Sequence, residues 1–358
     1  MLKPNIKVSL FSCLYCGASK NREALFFMNA EASQNQNLLE RLFKLKEKNT
    51  SVKTEIIAGM TTFIALAYIM FVNPNILSEA GIPKEAAIAS TIWIAALSTM
   101  VMGIFANYPV ALAPGMGLNA FFTYYVVGVL HLSWQVALGA VFFSGCLFLI
   151  LTIGGIRQAI INSVPHNLKC AIGVGIGLFI AFIGLKGTGL IIADKATFIT
   201  LGHVTMPTTM LSVFGLLFTG ALMARGVKGA ILIGIIATTI LSMCFGYSPV
   251  PHGIADVMSF SLPSMSQTFG ELDIAGAWNY GIFSIIFTFT VVELFDNMGT
   301  LIGLTSKAKL VNKNGEIENL DKALTTDAVG TIVSAIFGTS TVTSYIESAA
   351  GIAAGGKT

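Results

Sequence analysis

Runs of about 20 apolar residues separated by short polar joints dominate the chain, and that length is what a helix needs to cross ~30 Å of hydrocarbon. The runs extend from about Glu55 to Val72, Ala86 to Ala106, Trp134 to Ile153, Leu168 to Leu185, Thr208 to Ala224, Gly229 to Gly246 and Tyr280 to Leu304. Each predicts a spanning helix. Two weaker stretches interrupt this rhythm. From Tyr108 to Leu130, Pro109, Pro114, Gly115 and Gly117 break up the first half before a helical run from Leu118 to Val129. From Ala323 to Thr358, a short span to Phe337 gives way to a β-rich piece, Thr339 to Tyr345, and a small-residue run, Ile346 to Gly356. The second stretch holds two segments, the span to Phe337 and the broken piece after it, so the count with both stretches is ten, the last incomplete.

The two interrupted stretches resemble each other in pattern, although their identity is low. Phe105-Ala-Asn-Tyr-Pro-Val-Ala-Leu-Ala-Pro-Gly-Met-Gly-Leu-Asn119 and Phe337-Gly-Thr-Ser-Thr-Val-Thr-Ser-Tyr-Ile-Glu-Ser-Ala-Ala-Gly351 both read as span end, extended piece and half-helix. Irregular backbone at membrane depth is tolerated only where protein or a wet cavity satisfies its polar groups. An inverted repeat with broken helices at a central site has this arrangement, with half-helix N-termini near Gly115 and Ile346 aiming N–H groups at the site.

Composition agrees with the membrane reading: 54% of residues are hydrophobic and 11% charged, with mean hydropathy +0.77. The net charge of +3 is spread over short loops rather than gathered in a patch, so topology accounts for it and a nucleic-acid partner is not expected. With the tail carrying Arg41, Lys44, Lys46, Lys48 and Lys53 placed in the cytoplasm, the inner loops hold Arg157, Lys169, Arg225, Lys228, Lys307, Lys309, Lys313 and Lys322. The outer loops hold only Lys84, Lys186 and Lys195, and the connection from Tyr247 to Asn279 has acidic residues but no Lys or Arg. The bias follows the positive-inside rule only if both interrupted stretches cross the membrane.

The candidate chemistry lies in carboxylates within apolar surroundings. Glu293 and Asp296 stand inside the run Tyr280 to Leu304, and Glu347 follows the hydrophobic stretch that opens at Ala323. An ionisable residue at the bilayer centre costs about 2.5 to 3.5 kcal/mol on insertion scales and usually lines a polar path or a binding site. Three residues apart on a helix, Glu293 and Asp296 share a face. A carboxylate can accept N–H groups of a bound solute, and Asn119, with donors and an acceptor, can complement another polar edge. Phe121, Phe122, Phe295 and Tyr345 are candidates for stacking or lining. A membrane carboxylate that takes a proton on one side and releases it on the other is the logic of proton symport. Helix bracing by hydrogen bonds is the alternative for any one of these groups.

The runs Ala113-Pro-Gly-Met-Gly-Leu-Asn-Ala-Phe-Phe122, Val292-Glu-Leu-Phe-Asp-Asn-Met-Gly-Thr-Leu-Ile-Gly303 and Thr339-Ser-Thr-Val-Thr-Ser-Tyr-Ile-Glu-Ser-Ala-Ala-Gly-Ile352 resemble signature segments of the adenine, guanine and hypoxanthine permeases within the xanthine and uracil permease superfamily. The resemblance covers about Thr54 to Thr358. It implies an all-α polytopic membrane protein with fourteen spans in two inverted repeats of seven, the third and tenth spans broken and containing short strands, of which this chain covers about ten. It implies a core over 54–160 and 279–358 and a gate over 161–248 that move in an elevator-like displacement. It also implies a multi-pass protein of the inner or plasma membrane, with its N-terminus cytoplasmic, that imports purine nucleobases on the proton gradient without a cofactor and admits a homodimer. Glu293 and Glu347 fall at the expected purine-binding positions, with Asp296 and Asn119 supporting binding or coupling, Thr343 at the site and proton coupling assigned to Asp296 and Glu293. Aspartate is common in the family where this chain has Glu293, one methylene longer.

Other signals are weaker. Gly351-Ile-Ala-Ala-Gly-Gly-Lys-Thr358 fits the phosphate-loop pattern but has neither the preceding parallel strand nor the following helix, so its glycines predict close helix packing instead. Cys13 and Cys16 are an isolated pair, Cys146, Cys170 and Cys244 read as small core residues, and the histidines assemble no catalytic or metal-binding set. An enzyme is therefore not expected. Residues 1–53 read as a tail, with Met28 a candidate start and Leu38 to Leu45 a short amphipathic helix. The chain end at Thr358 falls within the second broken helix, so a truncated, inactive permease is one alternative. An anion or other small-solute carrier of the same fold and a non-transporting membrane protein are the others.

Overall fold

A computed structural model describes residues 38–154, 166–195, 197–227, 229–250, 264–279, 283–308, 310 and 318–358. The candidate start Met28, the Cys13/Cys16 pair, Arg157, Lys228, Asp256, Lys309 and Lys313 lie outside the described residues, as does the side chain of Cys170. The chain divides into two units, residues 1–49 and 50–358. In the first, α1 (Leu38–Phe43) matches the expected short helix, and Lys44 pairs with Glu47 one turn on at 3.1 Å.

Among its described residues, the second unit places helices along the hydrophobic runs, with a break at Ala67 and Tyr68 in the first. It contains α2 (Val52–Leu66), α3 (Ile69–Glu79), α4 (Lys84–Val101) closed by a π-turn at Met102–Ala106, β1 (Leu112–Pro114) and α5 (Met116–Ala120), which continues as a π-helical stretch to Val129. There follow α6 (Trp134–Ile153), α7 (His166–Gly187), the hairpin β2 (Ile191–Asp194) and β3 (Phe198–Leu201), α8 (Pro207–Ala224) and α9 (Ala230–Cys244). The last elements are α10 (Ile274–Asn279), α11 (Phe283–Lys307), α12 (Leu320–Phe337), β4 (Val342–Ser344) and α13 (Ser348–Ala353). Among the described residues, five helical stretches are long and apolar enough to cross a bilayer: Val52–Glu79, Lys84–Ala106, Trp134–Ile153, Pro207–Ala224 and Phe283–Lys307.

The local causes are legible. Ser51 caps α2 by accepting the Thr54 N–H, and Ser133 caps α6 by accepting that of Val136. Between α2 and α3 the ladder tightens to three-residue bonds, Met70 N–H to Ala67 O and Phe71 N–H to Tyr68 O. Pro74 lies one turn further on, where its ring displaces the Met70 carbonyl. The Val52–Glu79 span therefore breaks at Ala67 and Tyr68. Gly338, with φ +84°, ends α12 in the left-handed conformation and turns the chain into β4.

The two interrupted stretches meet. β1 and β4 pair antiparallel, Leu112 opposite Ser344, Ala113 opposite Thr343 and Pro114 opposite Val342. The pairing satisfies backbone that no helix could satisfy, and it extends through Gly115 N–H to Thr341 O at 2.8 Å and Tyr345 N–H to Ala111 O at 3.0 Å. Gly115 is required there, because a Cβ would sit 2.7 Å from Thr343 Cγ2. Each strand is also stitched to the helix before it by one threonine. Thr99 Oγ1 lies 3.0 Å from both the N and the O of Leu112, and Thr331 Oγ1 lies 3.1 and 3.3 Å from the N and the O of Val342.

The core flanks this crossing. One cluster joins Ile94, Met102, Leu112, Phe148, Leu301, Leu304, Leu324 and Val342, and another joins Leu77, Phe122, Leu138, Phe289 and Ala335. The glycines of the phosphate-loop-like run pack as the sequence predicts: a Cβ on Gly351 would overlap Ala58 and Thr62 of α2, and one on Gly356 would lie 2.9 Å from Ala58 Cβ. The cysteines depart from the sequence reading, since Cys146 is half-buried and Cys244 exposed. At the end of an apolar helix a small thiol faces the surroundings as readily as the core.

Candidate functional site

α11 and α12 run into the β1/β4 crossing and bring three carboxylates within range of one another's charge: Glu293, Asp296 and Asp327. Glu293 and Asp327 have no exposed surface (0%). Neither is ion-paired with a Lys or Arg among the described residues. Thr331 donates to Glu293 Oε1, while Glu293 Oε2 is buried with no protein partner. Ser144 of α6 stands beside Glu293. Asp327 accepts from the side-chain amide of Asn297, whose own oxygen accepts the Ser344 N–H at 2.7 Å, and Asp327 Oδ1 is buried without a partner. Asp296 is half-buried and makes no hydrogen bond among the described residues.

Thr331 gives this cluster a chemical handle. Its hydroxyl has one proton and two acceptors in reach, Glu293 Oε1 and the Val342 carbonyl. When Glu293 is ionised the proton belongs on the carboxylate side. When Glu293 is protonated it can itself donate to Thr331, which frees the threonine proton for the strand.

Glu347 occupies the turn into α13, half-buried, and Oε1 accepts the Tyr68 hydroxyl at 2.7 Å. Tyr345 lies within range of the charges of Glu347 and Asp296. Its hydroxyl donates to the Pro114 carbonyl, so it also ties the two interrupted stretches together. Thr343 is buried in the strand pairing against Gly115. Asn119 is buried and donates to Asn73 Oδ1. Asn73 in turn donates to Thr91 at 2.7 Å and Thr339 at 3.3 Å, bridging both interrupted stretches.

Of the residues singled out from sequence, the structure brings Glu293 and Asp296 together, and Tyr345 within range of both Asp296 and Glu347. It does not hydrogen-bond Asn119 to any of the carboxylates. Phe122 is wholly buried beside Leu77, Leu138 and Phe289, and Phe295 packs against the core that holds Leu301 and Leu304. Phe121 stacks on Tyr125 with centroids 5.1 Å apart and meets Phe289 edge-on. Packing accounts for those three rings as placed here.

Sequence reasoning missed Asp327, Asn297, Thr331, Ser144, Asn73 and Tyr68. Asp327 had a readable signal, an acid seven residues into an apolar helix. Asp321 and Lys322 at the helix start made it look like part of a polar end.

Buried carboxylates beside paired extended segments that interrupt apolar spans are the arrangement of a membrane-transport protein. The profile of a permease family matches residues 53–358. The chain is 42% identical to the adenine permease AdeP of Escherichia coli over 90% of this chain and 72% of that one. It is 41% identical to the guanine/hypoxanthine permease PbuO of Bacillus subtilis over 88% and 73%. Its fold matches the transmembrane domain of a cyanobacterium bicarbonate transporter, BicA, with TM-score 0.59 at 14% identity, covering 86% of this chain and 78% of that one. The chain belongs to this permease family, and these relatives are permeases, not enzymes.

Proposed function

We propose that the chain carries purine nucleobases, adenine, guanine or hypoxanthine, into the cell across the cytoplasmic membrane in symport with protons. The observation that carries this reading is the set Glu293, Asp296, Asp327 and Glu347 gathered around the β1/β4 crossing with no basic partner among the described residues. A purine offers N–H donors to such carboxylates, whereas an anion would be repelled. Glu293 and Glu347 bind the base, and Asp296 and Glu293 carry the coupled proton. The equivalent threonine stitches at Leu112 and Val342 support an inverted repeat whose two broken helices meet at the site. On this reading there are ten spans, the N-terminus is cytoplasmic, 54–160 and 279–358 form the core, and 161–248 form a gate in an elevator-like cycle.

Uptake of labelled adenine, guanine and hypoxanthine by cells lacking their own purine carriers tests the proposal. Glu293→Gln and Glu347→Gln keep side-chain size and remove the charge, and each is expected to lower uptake at least tenfold, from the ~1.5–3 kcal/mol of a hydrogen bond to a charged group. Normal uptake by both variants at equal membrane abundance would sink the assignment.

A further inference from the structure

Tyr68 lies at the break between α2 and α3, 5% exposed, and its hydroxyl reaches Glu347, 279 positions away in sequence, at 2.7 Å. Its chain neighbours Leu66 and Ile69 pack with Ala111, Ala113 and the ring of Tyr345 in one apolar cluster. The Tyr345 hydroxyl is directed to Pro114, so it does not compete for Glu347. Tyr68 is accordingly the donor that Glu347 has among the described residues, and it engages Oε1 while Oε2 makes no hydrogen bond. We propose that Tyr68 is a positioning residue for purine binding: by holding one oxygen of Glu347 it fixes the carboxylate rotamer and leaves the other oxygen to accept a purine N–H. This rests on the reading of Glu347 as a purine-binding carboxylate.

The geometry separates this role from simple bracing. α13 is already fixed against α2 without Tyr68, through the close approach of Gly351 to Ala58 and Thr62, of Gly355 to Thr54, and through Glu55, which accepts the backbone N–H of Lys357 and Thr358 at 3.0 and 3.2 Å. Removing the tyrosine hydroxyl therefore releases a side chain, not a helix. A glutamate has several torsions to immobilise, and a single charge-assisted bond at one oxygen is an efficient way to do so.

The test is Tyr68→Phe in the full chain, expressed in cells lacking purine carriers, with labelled adenine, guanine and hypoxanthine each measured over a concentration range. The expected result is a KM raised about tenfold for the transported base, with Vmax per carrier within about twofold of the parent and unchanged abundance in the membrane. Unchanged KM, or a fall confined to Vmax, overturns the positioning role. Glu347→Gln is run alongside: if it abolishes uptake while Tyr68→Phe transports with the parent KM, only the role of Tyr68 fails. If Glu347→Gln transports normally, the binding assignment of Glu347 fails with it.

Discussion

Thr331 concentrates the residue-scale logic of the site, because one hydroxyl serves a buried carboxylate and both polar groups of Val342. Thr99 does the same for Leu112 with no carboxylate involved. Replacing either by valine keeps the shape and leaves a strand N–H without its partner, a loss of about 1–3 kcal/mol for a buried donor. Both Thr99→Val and Thr331→Val are expected to lower the thermal midpoint of the detergent-solubilised protein by similar amounts. Only Thr331→Val is expected to change purine uptake as well, since it alone removes a partner of Glu293. Equal uptake by the two variants would show that Thr331 serves the strand and not the carboxylate. The same local reasoning explains why Asp327 can be retained in a fully buried position: Asn297 donates to one of its oxygens and relays the bond to the Ser344 backbone.

At the scale of elements, the short strands solve a problem that helices cannot. Pro109, Pro114 and Gly115 prevent a continuous helix in the first interrupted stretch, and the residues around Gly338 do so in the second. Each stretch then carries backbone groups with no intrahelical partner, and the antiparallel pairing of β1 with β4 satisfies them mutually. The half-helix α13 that follows β4 depends on close contact with α2, and glycine is what permits it. Gly351→Leu would drive a side chain into Ala58 and Thr62, overpacking by about 1–3 kcal/mol and displacing the turn that carries Glu347. The expected outcome is a lowered thermal midpoint together with lost purine uptake. A variant that melts and transports like the parent would show that α13 sits elsewhere.

Across the whole molecule, the proposed cycle draws on the proton gradient through carboxylates that have no cationic partner among the described residues. Burying Glu293 and Asp327 together as charges is costly, and on this proposal a proton accompanies them through part of the cycle. Accumulation of labelled purine is therefore expected to collapse when a protonophore dissipates the gradient, and to be indifferent to replacing sodium by potassium in the medium. Sodium dependence with insensitivity to the protonophore would assign the coupling to a different ion.

The amino-acid sequence alone located the apolar helices, because hydrophobic length is a local property: Trp134 to Ile153 is the same in both readings, whereas the run from Glu55 to Val72 continues to Glu79 and breaks at Ala67 and Tyr68. It also determined that Glu293, Asp296 and Glu347 are out of place in hydrocarbon, since their cost depends only on the apolar residues around them in sequence. What the tertiary structure decided is which groups meet. Asp327 joins Glu293, Asn73 holds Asn119, Tyr68 holds Glu347, and β1 pairs with β4 across some 230 residues, as Ala113 does with Thr343. Hydrogen-bond partners distant in sequence leave no periodicity behind, and the faces of Phe121, Phe122 and Phe295 follow from helix packing that no local pattern encodes.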